Sequence, residues 1–339
     1  MIKYFPLKLL AICIFIGLIY PQKVVTTANK GLLFTDTITL KELLQNNPAM
    51  QQVVYKQVNN TALKMYYIKP ANAKPGKKYP AIIWIHGGAW TGGNADIFFA
   101  HAKYFALRNA VGISIEYRLV TPNGNSVMDC LADCKSAIRY IRAHAAELNI
   151  DPDNIVVAGD SAGGHLAACL GIIDGFNDAN DNLLINAIPN AMILYNPCTD
   201  FTILPLAKNI MKHKFSNFKY ADTASLKEED IQLAKALSPM FHIHAKLPPT
   251  LVLHGLNDKV ILPQQSIQFT DSMKKYGNNC ELILLENTRH AFAVPNYTAS
   301  EEVVVNAIVA ADQFLIAQGI LKGKPTLRVG KNTAWVPKK

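Results

Sequence analysis

Cysteine is scarce in this chain of 339 residues: six in all, and five once Cys13 is set aside with the N-terminal leader. An odd set is no disulfide framework, so a packed core has to hold the fold. Cys130 and Cys134, one helical turn apart, and Cys169 read as small buried hydrophobes. The apolar run over residues 9–20 is too short to span a bilayer comfortably, and internal repeats and disordered tracts are missing. Bases are not interleaved with aromatics, so nucleic acid is not among the expected partners. His242 and His244 are spaced for one strand face, yet nothing nearby completes a metal set. They read as structural, and neither metal nor cofactor is expected.

Half of the residues are apolar, enough for the core of one large α/β domain. The N-terminus places Lys3 and Lys8 ahead of residues 9–20 and small residues at Thr26, Thr27 and Ala28, a pattern that suits a secretory leader cleaved after Ala28. Pro21 and Lys23 interrupt it, so an uncleaved anchor also fits. The expected layout is 1–28 as signal peptide or anchor, 29–322 as the folded domain with an insertion near 198–247, and 323–339 as a basic tail. Export, to the periplasm or beyond, is expected. The net charge is +9, and Lys3, Lys8 and Lys23 lie in a leader with no acidic residue, so a processed chain keeps +6. A solvated basic surface accounts for that charge, and contact with acidic polysaccharide or lipid headgroups also fits it.

Residues 52–58 and 63–68 alternate in character around Asn59-Asn60, which predicts an antiparallel hairpin at a sheet edge. Residues 80–85, 111–117, 155–160, 187–195, 249–255 and 281–285 read as buried strands. Helical patterns over 97–109, 126–148, 263–276 and 300–316 alternate with them. That rhythm predicts a mostly parallel sheet covered on both faces, with a turn at 151–154 and a short helix over 40–47. Between Pro197 and Pro249 the rhythm lapses into an insertion with a helix near 225–237, placed to cover a pocket above the strand ends.

The chemistry gathers at the strand ends. Residues 155–165 pass from a β-branched run through Gly159-Asp160-Ser161-Ala162-Gly163 into helix-compatible residues, which predicts a sharp strand-turn-helix elbow that exposes Ser161. A serine hydroxyl is a weak nucleophile at neutral pH and needs a base to take its proton. His290 and Asp258 each fall just past a strand end on the same rim, in the order nucleophile, acid, base. Imidazole can serve as base and then acid, while a carboxylate fixes its tautomer. Asp200 is the reserve candidate for that carboxylate. Gly87 and Gly88, directly after the strand over 80–85, leave backbone N–H groups uncovered for a developing oxyanion. His86 reads as a ring that hydrogen-bonds its own loop.

The run His86-Gly87-Gly88-Ala89-Trp90, the run Glu116-Tyr117-Arg118-Leu119, the elbow from Gly159 to Gly164, Asp258 and His290 together resemble the α/β-hydrolase superfamily. Within it they resemble carboxylesterases related to hormone-sensitive lipase and the bacterial carbohydrate acetyl and feruloyl esterases. The likeness runs from about Tyr66 to Gly319. It implies the α/β-hydrolase fold with a small helical cap, Ser161 as nucleophile, His290 as base and Asp258 as its partner. It also implies an oxyanion hole from the N–H groups of Gly88, Ala89 and Ala162, with Gly87 a further candidate. Ala89 departs from the commoner third glycine; the donor survives and the space beside it narrows. The activity implied is acyl-enzyme hydrolysis of short-acyl esters, such as acetylated carbohydrates, with a small-molecule or polysaccharide ester as the partner. Arylformamidase-like amide hydrolases and serine peptidases share the fold and the triad, although no large domain is present here to select peptides. Catalytically silent binding modules of this fold usually lack a triad member, and all three are present here.

Overall fold

Strand β5, Tyr79–Ile85, shows why the chain forms a sheet covered on both sides. Its pleat sends Ile82 and Trp84 to one face and Ala81, Ile83 and Ile85 to the other, and all five are fully buried. In the computed structural model, residues 23–25, 37–45, 50–121, 124–202 and 228–330 are described. Nine of the described strands form one sheet in the order β1-β10-β9-β8-β7-β5-β6-β4-β3. Here β1 is Lys23–Val25, β3 Gln51–Val58, β4 Thr61–Ile68, β6 Val111–Ile115, β7 Ile150–Asp160, β8 Ala191–Tyr195, β9 Thr250–Gly255 and β10 Cys280–Leu285, while β2, Ile38–Thr39, lies outside this sheet. From β1 to β6 every pairing is parallel, and only the β3–β4 hairpin and its pairing with β6 are antiparallel. This is the doubly covered, mostly parallel sheet that the alternation of strands and helices predicts.

Helices Val127–Ala143, Ala162–Ile172 and Pro263–Lys275 bury one face of the sheet; Phe99–Leu107 and Glu301–Ala317 bury the other. The three cysteines read as packing residues are buried free thiols. Several boundaries differ from the sequence reading. The helix expected over 97–109 opens with a 3-10 turn, Ala95–Phe98. The turn expected at 151–154 lies inside β7, where the pairing with β5 skips from Ile150 to Ile155. Turn chemistry is still at work there, since Asp151 accepts from the Asp153 N–H and the Asn154 amide and bulges the strand. The segment read as a basic tail belongs to the fold as far as Gly330, because Leu327–Arg328 pairs with Ile38–Thr39 and Leu327 is buried.

The leader and its cleavage point, over 1–22 and 26–36, lie outside the described residues, as does 203–227 of the insertion and 331–339 of the tail. Lys23–Val25 is described and pairs with β10, so cleavage after Ala28 would make β10 the sheet edge. Of the insertion, Glu228–Ala236 is helical as expected and Pro239–His242 forms a 3-10 turn. His242 and His244 bond to the carbonyls of Lys235 and Ala245. Among the described residues no helix is long and apolar enough to cross a membrane.

One buried group in this core sets a stability prediction. The His101 ring lies against Trp84 and Phe98, and among the described residues neither of its nitrogens has a hydrogen-bond partner. Burial pushes its pKa down to about 3. The unfolded chain takes a proton near the ordinary histidine value and the folded chain does not, so this site's stability is present above about pH 6.5 and declines as pH falls toward 3. His101→Phe, which removes both orphaned nitrogens, raises stability by about 1–3 kcal/mol at neutral pH. Its advantage over the parent grows as pH falls from about 6.5. Urea midpoints of the two proteins across that window check both statements.

Candidate active site

Ser161 sits between β7 and helix Ala162–Ile172 with φ 53° and ψ −119°, a conformation side chains rarely adopt. Such strain costs about 1–3 kcal/mol and persists only where the surroundings over-determine it. They do so here. The Ser161 N–H donates to the Tyr195 carbonyl of β8 at 2.9 Å, and the Ser161 carbonyl accepts from His165 at 2.9 Å. A Cβ on Gly159 would stand 2.5 Å from the Gly163 carbonyl carbon, and one on Gly163 would stand 2.0 Å from the Ile85 oxygen. Strand, helix and the neighbouring strand end therefore meet only because both positions are glycine.

His290 follows β10 in a loop clasped to the end of β9. Asn257 N–H donates to the Thr288 carbonyl at 2.9 Å, and a Cβ on Gly255 would lie 2.3 Å from that oxygen. The clasp brings the three predicted side chains into line. His290 Nε2 is 2.9 Å from Ser161 Oγ, and His290 Nδ1 is 2.7 Å from Asp258 Oδ2. With the carboxylate accepting from Nδ1–H, the Nε2 lone pair faces the serine O–H, which is the tautomer a base requires. Asp258 is 2% exposed, whereas the His290 side chain keeps 16% of its surface, so solvent and substrate reach the base and not its partner. Burial pushes the Asp258 pKa up, but hydrogen bonds from His254 and His290 outweigh it and hold the carboxyl well below the usual carboxylate range. Asp200 is engaged elsewhere, with Oδ1 accepting from the Thr202 N–H and hydroxyl.

The loop after β5 turns sharply, with φ of 118° at Gly88, 51° at Ala89 and 60° at Trp90. Gly88 is obligatory there, since a Cβ would fall 2.2 Å from the Gly92 oxygen. Among the described residues, the N–H groups of Gly88, Ala89 and Ala162 donate to nothing. Gly87 is a correction to the sequence reading. Its N–H donates to Asp160 Oδ1 at 2.8 Å, and one N–H so committed has nothing to offer an oxyanion. Asp160 itself is buried, which pushes its pKa up to about 6 against the opposing pull of His290 and of that Gly87 bond. His86 bonds its own loop as expected, its Nδ1 lying 2.8 Å from the Gly87 carbonyl.

The Glu116-Tyr117-Arg118 run is the scaffold of this loop. Tyr117 donates its hydroxyl to the His86 carbonyl at 2.8 Å, and Arg118 forks onto both oxygens of Asp133 at 2.8 Å. Trp90 donates its indole N–H to His165 Nδ1 at 3.2 Å, while His165 Nε2 meets the Leu237 carbonyl of the insertion at 2.7 Å. The sequence reading did not single out His254, which lies four residues before Asp258 at the end of β9 and meets Asp258 Oδ2 through Nε2 at 3.1 Å. Its signal was the strand pleat, which puts residue 254 on the same face as Val252, toward helix Pro263–Lys275.

The BD-FAE family model matches residues 66–273. The chain belongs to the BD-FAE family. That span takes in the loop after β5, the elbow and Asp258, and the base lies just beyond it. Similar solved structures include Thermogutta terrifontis esterase 2 phosphoramylated by tabun, 35% identical with a TM-score of 0.71, covering 82% of this chain and 97% of that one. This BD-FAE chain is also 29% identical over 257 residues to the probable carboxylic ester hydrolase LipM of Mycobacterium tuberculosis, covering 70% of this chain and 54% of LipM. It is 26% identical over 249 residues to the probable isoprenylcysteine alpha-carbonyl methylesterase ICMEL1 of Arabidopsis thaliana, covering 71% of this chain and 50% of that protein. The chain thus spans about half the length of these two relatives. The fold is that of the α/β-hydrolase esterases.

Proposed function

We propose that the protein is a serine carboxylic ester hydrolase that works through an acyl-enzyme. The observation that carries the reading is the unbroken line from Ser161 Oγ through His290 to Asp258, with steps of 2.9 Å and 2.7 Å. Ser161 attacks the ester carbonyl as His290 Nε2 takes its proton, and the developing oxyanion is met by the N–H groups of Gly88, Ala89 and Ala162. Each such donor contributes roughly 3 kcal/mol to the transition state. The imidazolium, balanced by the Asp258 carboxylate, then protonates the departing alcohol. Water enters, gives its proton to the same nitrogen and releases the acid.

Short acyl groups are the favoured substrates. Solved structures of Thermogutta terrifontis esterase 2 hold propionate and butyrate, and Ala89 narrows the space beside its donor relative to glycine. Acetylated carbohydrate is the proposed physiological class, on the strength of the sequence resemblance and of a leader that suits export to the periplasm or beyond. The test is kcat/KM on p-nitrophenyl esters of rising chain length, with acetylated xylan and feruloylated oligosaccharides assayed beside them. The expected profile peaks at short chains, and a fluorophosphonate labels Ser161 stoichiometrically, as the organophosphorus-modified forms of that esterase suggest. A protein that hydrolyses no ester and takes up no label refutes the proposal.

A further inference from the structure

Asp258 is gripped from a second side. Its Oδ1 accepts from the N–H groups of Val260 at 2.7 Å and Ile261 at 3.0 Å, so backbone alone satisfies that oxygen. Its Oδ2 receives two imidazoles: His290 at 2.7 Å and His254, through Nε2, at 3.1 Å. The same His254 nitrogen is 2.9 Å from the Ile261 carbonyl. Two acceptors converge on Nε2, which therefore carries the hydrogen. The other ring nitrogen is 2.6 Å from Ser266 Oγ on helix Pro263–Lys275. A hydroxyl donating to Nδ1 completes a neutral ring with one fixed tautomer. His254 and Ser266 are wholly buried, and neither touches the surface from which a substrate comes.

We infer that His254 is a positioning residue for the proposed hydrolysis, pinning the Asp258 carboxylate through the same oxygen that orients His290. The inference rests on the ester-hydrolase reading of the site and deepens it. If packing alone were needed here, an apolar side chain would fill the strand end at lower cost, since every buried polar atom has to be satisfied. Instead a hydrogen-bonded line runs from Ser266 through His254, Asp258 and His290 to Ser161, joining a helix under the sheet to the elbow above it. Two consequences follow from chemistry. The His254 N–H fixes the rotation of the carboxylate, so that Oδ2 stays under His290. It also draws negative charge away from that oxygen, so His290 feels less of the carboxylate than it would from Asp258 alone. The ionisable groups acting on Asp258 are these two histidines, and the charge of His290 also acts on the buried Asp160 carboxylate.

The experiment follows kcat/KM for p-nitrophenyl acetate from about pH 5 to pH 9. It compares the parent protein with His254→Phe, His254→Gln and Ser266→Ala, each at a site concentration fixed by fluorophosphonate titration and each with its melting temperature recorded. His254→Phe is expected to lower the plateau by about 10- to 100-fold, the worth of one hydrogen bond to a charged group. It is also expected to move the acid limb to higher pH, because the whole carboxylate charge then acts on His290. His254→Gln, which retains a donor, returns the limb toward its parental position. Ser266→Ala shifts it in the same direction as His254→Phe with a smaller loss of rate. An acid limb unmoved in both His254→Phe and Ser266→Ala overturns the inference whatever the melting temperatures, and so does a His254→Gln limb that stays with His254→Phe. Should His254→Phe fail to fold, an unmoved limb in Ser266→Ala is decisive on its own. A parent that is active alongside unaffected variants sinks this inference alone, while a parent without esterase activity or label sinks the reading of the site and this inference with it.

Discussion

Ser161→Ala lowers kcat for a p-nitrophenyl ester by about 10⁴- to 10⁶-fold and leaves the fold where it was. The loss is this large because the acyl-enzyme cannot form, and the residue is not replaced by a weaker nucleophile at the same point. On the proposed mechanism, what remains is water attacking an ester held against the N–H groups of Gly88, Ala89 and Ala162, a pathway that keeps only the share of catalysis due to binding and oxyanion stabilisation. Stability stays within about 0.5 kcal/mol, because Ala bears the same backbone strain at φ 53° and, among the described residues, the hydroxyl bonds to His290 alone. The check is single-turnover kinetics on the purified variant with its urea midpoint measured alongside. Activity at the parental level would remove Ser161 from the nucleophile's role, and a collapsed midpoint would show the elbow to depend on the hydroxyl.

How far the site could be read from residue order varies with the kind of interaction. The elbow, the two rim residues and the loop after β5 were legible because each combines a strand pattern with an abrupt turn, and β5, β7, β9 and β10 end where that pattern ends. Parallel pairing does the rest: strands aligned at their carboxyl ends place Ser161, Asp258 and His290 together, although 129 residues separate the serine from the histidine. Direction of a single backbone bond was not legible in this way. Gly87 and Gly88 are equivalent in sequence, and only φ and the position of Asp160 decide that one N–H turns inward and the other does not. The excursion at residues 151–154 was read as a turn and is a bulge, because local turn chemistry is the same whether or not the chain rejoins its strand. His254 escaped notice for a related reason. The strand pleat fixes which face a histidine takes but not which groups it meets there, and the partners of His254 come from a loop and a helix that the fold alone brings near.

Asp258→Asn is expected to cost about 10⁴-fold in kcat/KM, and the bonds around the carboxylate explain the size. Val260 and Ile261 both donate to Oδ1, so the amide oxygen of the variant is drawn to that place and its NH₂ group is left where Oδ2 had been. There it presents hydrogens to His290 Nδ1. To accept them the ring must move its own proton to Nε2, which removes the lone pair that faces Ser161 at 2.9 Å. The same NH₂ group meets the His254 N–H, donor against donor, so the second imidazole opposes the substitution as well. Stability falls too. The Asp258 pKa is depressed in the folded protein, so its contribution is present above the unfolded carboxyl value near 4 and is lost as pH falls through the lower folded value. The variant is therefore less stable than the parent by an amount on the order of 2 kcal/mol at neutral pH, and the gap closes on acidification below about pH 4. Urea titrations at neutral and acid pH, with kcat/KM measured on the same preparations, separate the two effects. A rate that survives the substitution would show that His290 needs no orienting carboxylate, because among the described residues no other one is within hydrogen-bonding reach of its Nδ1.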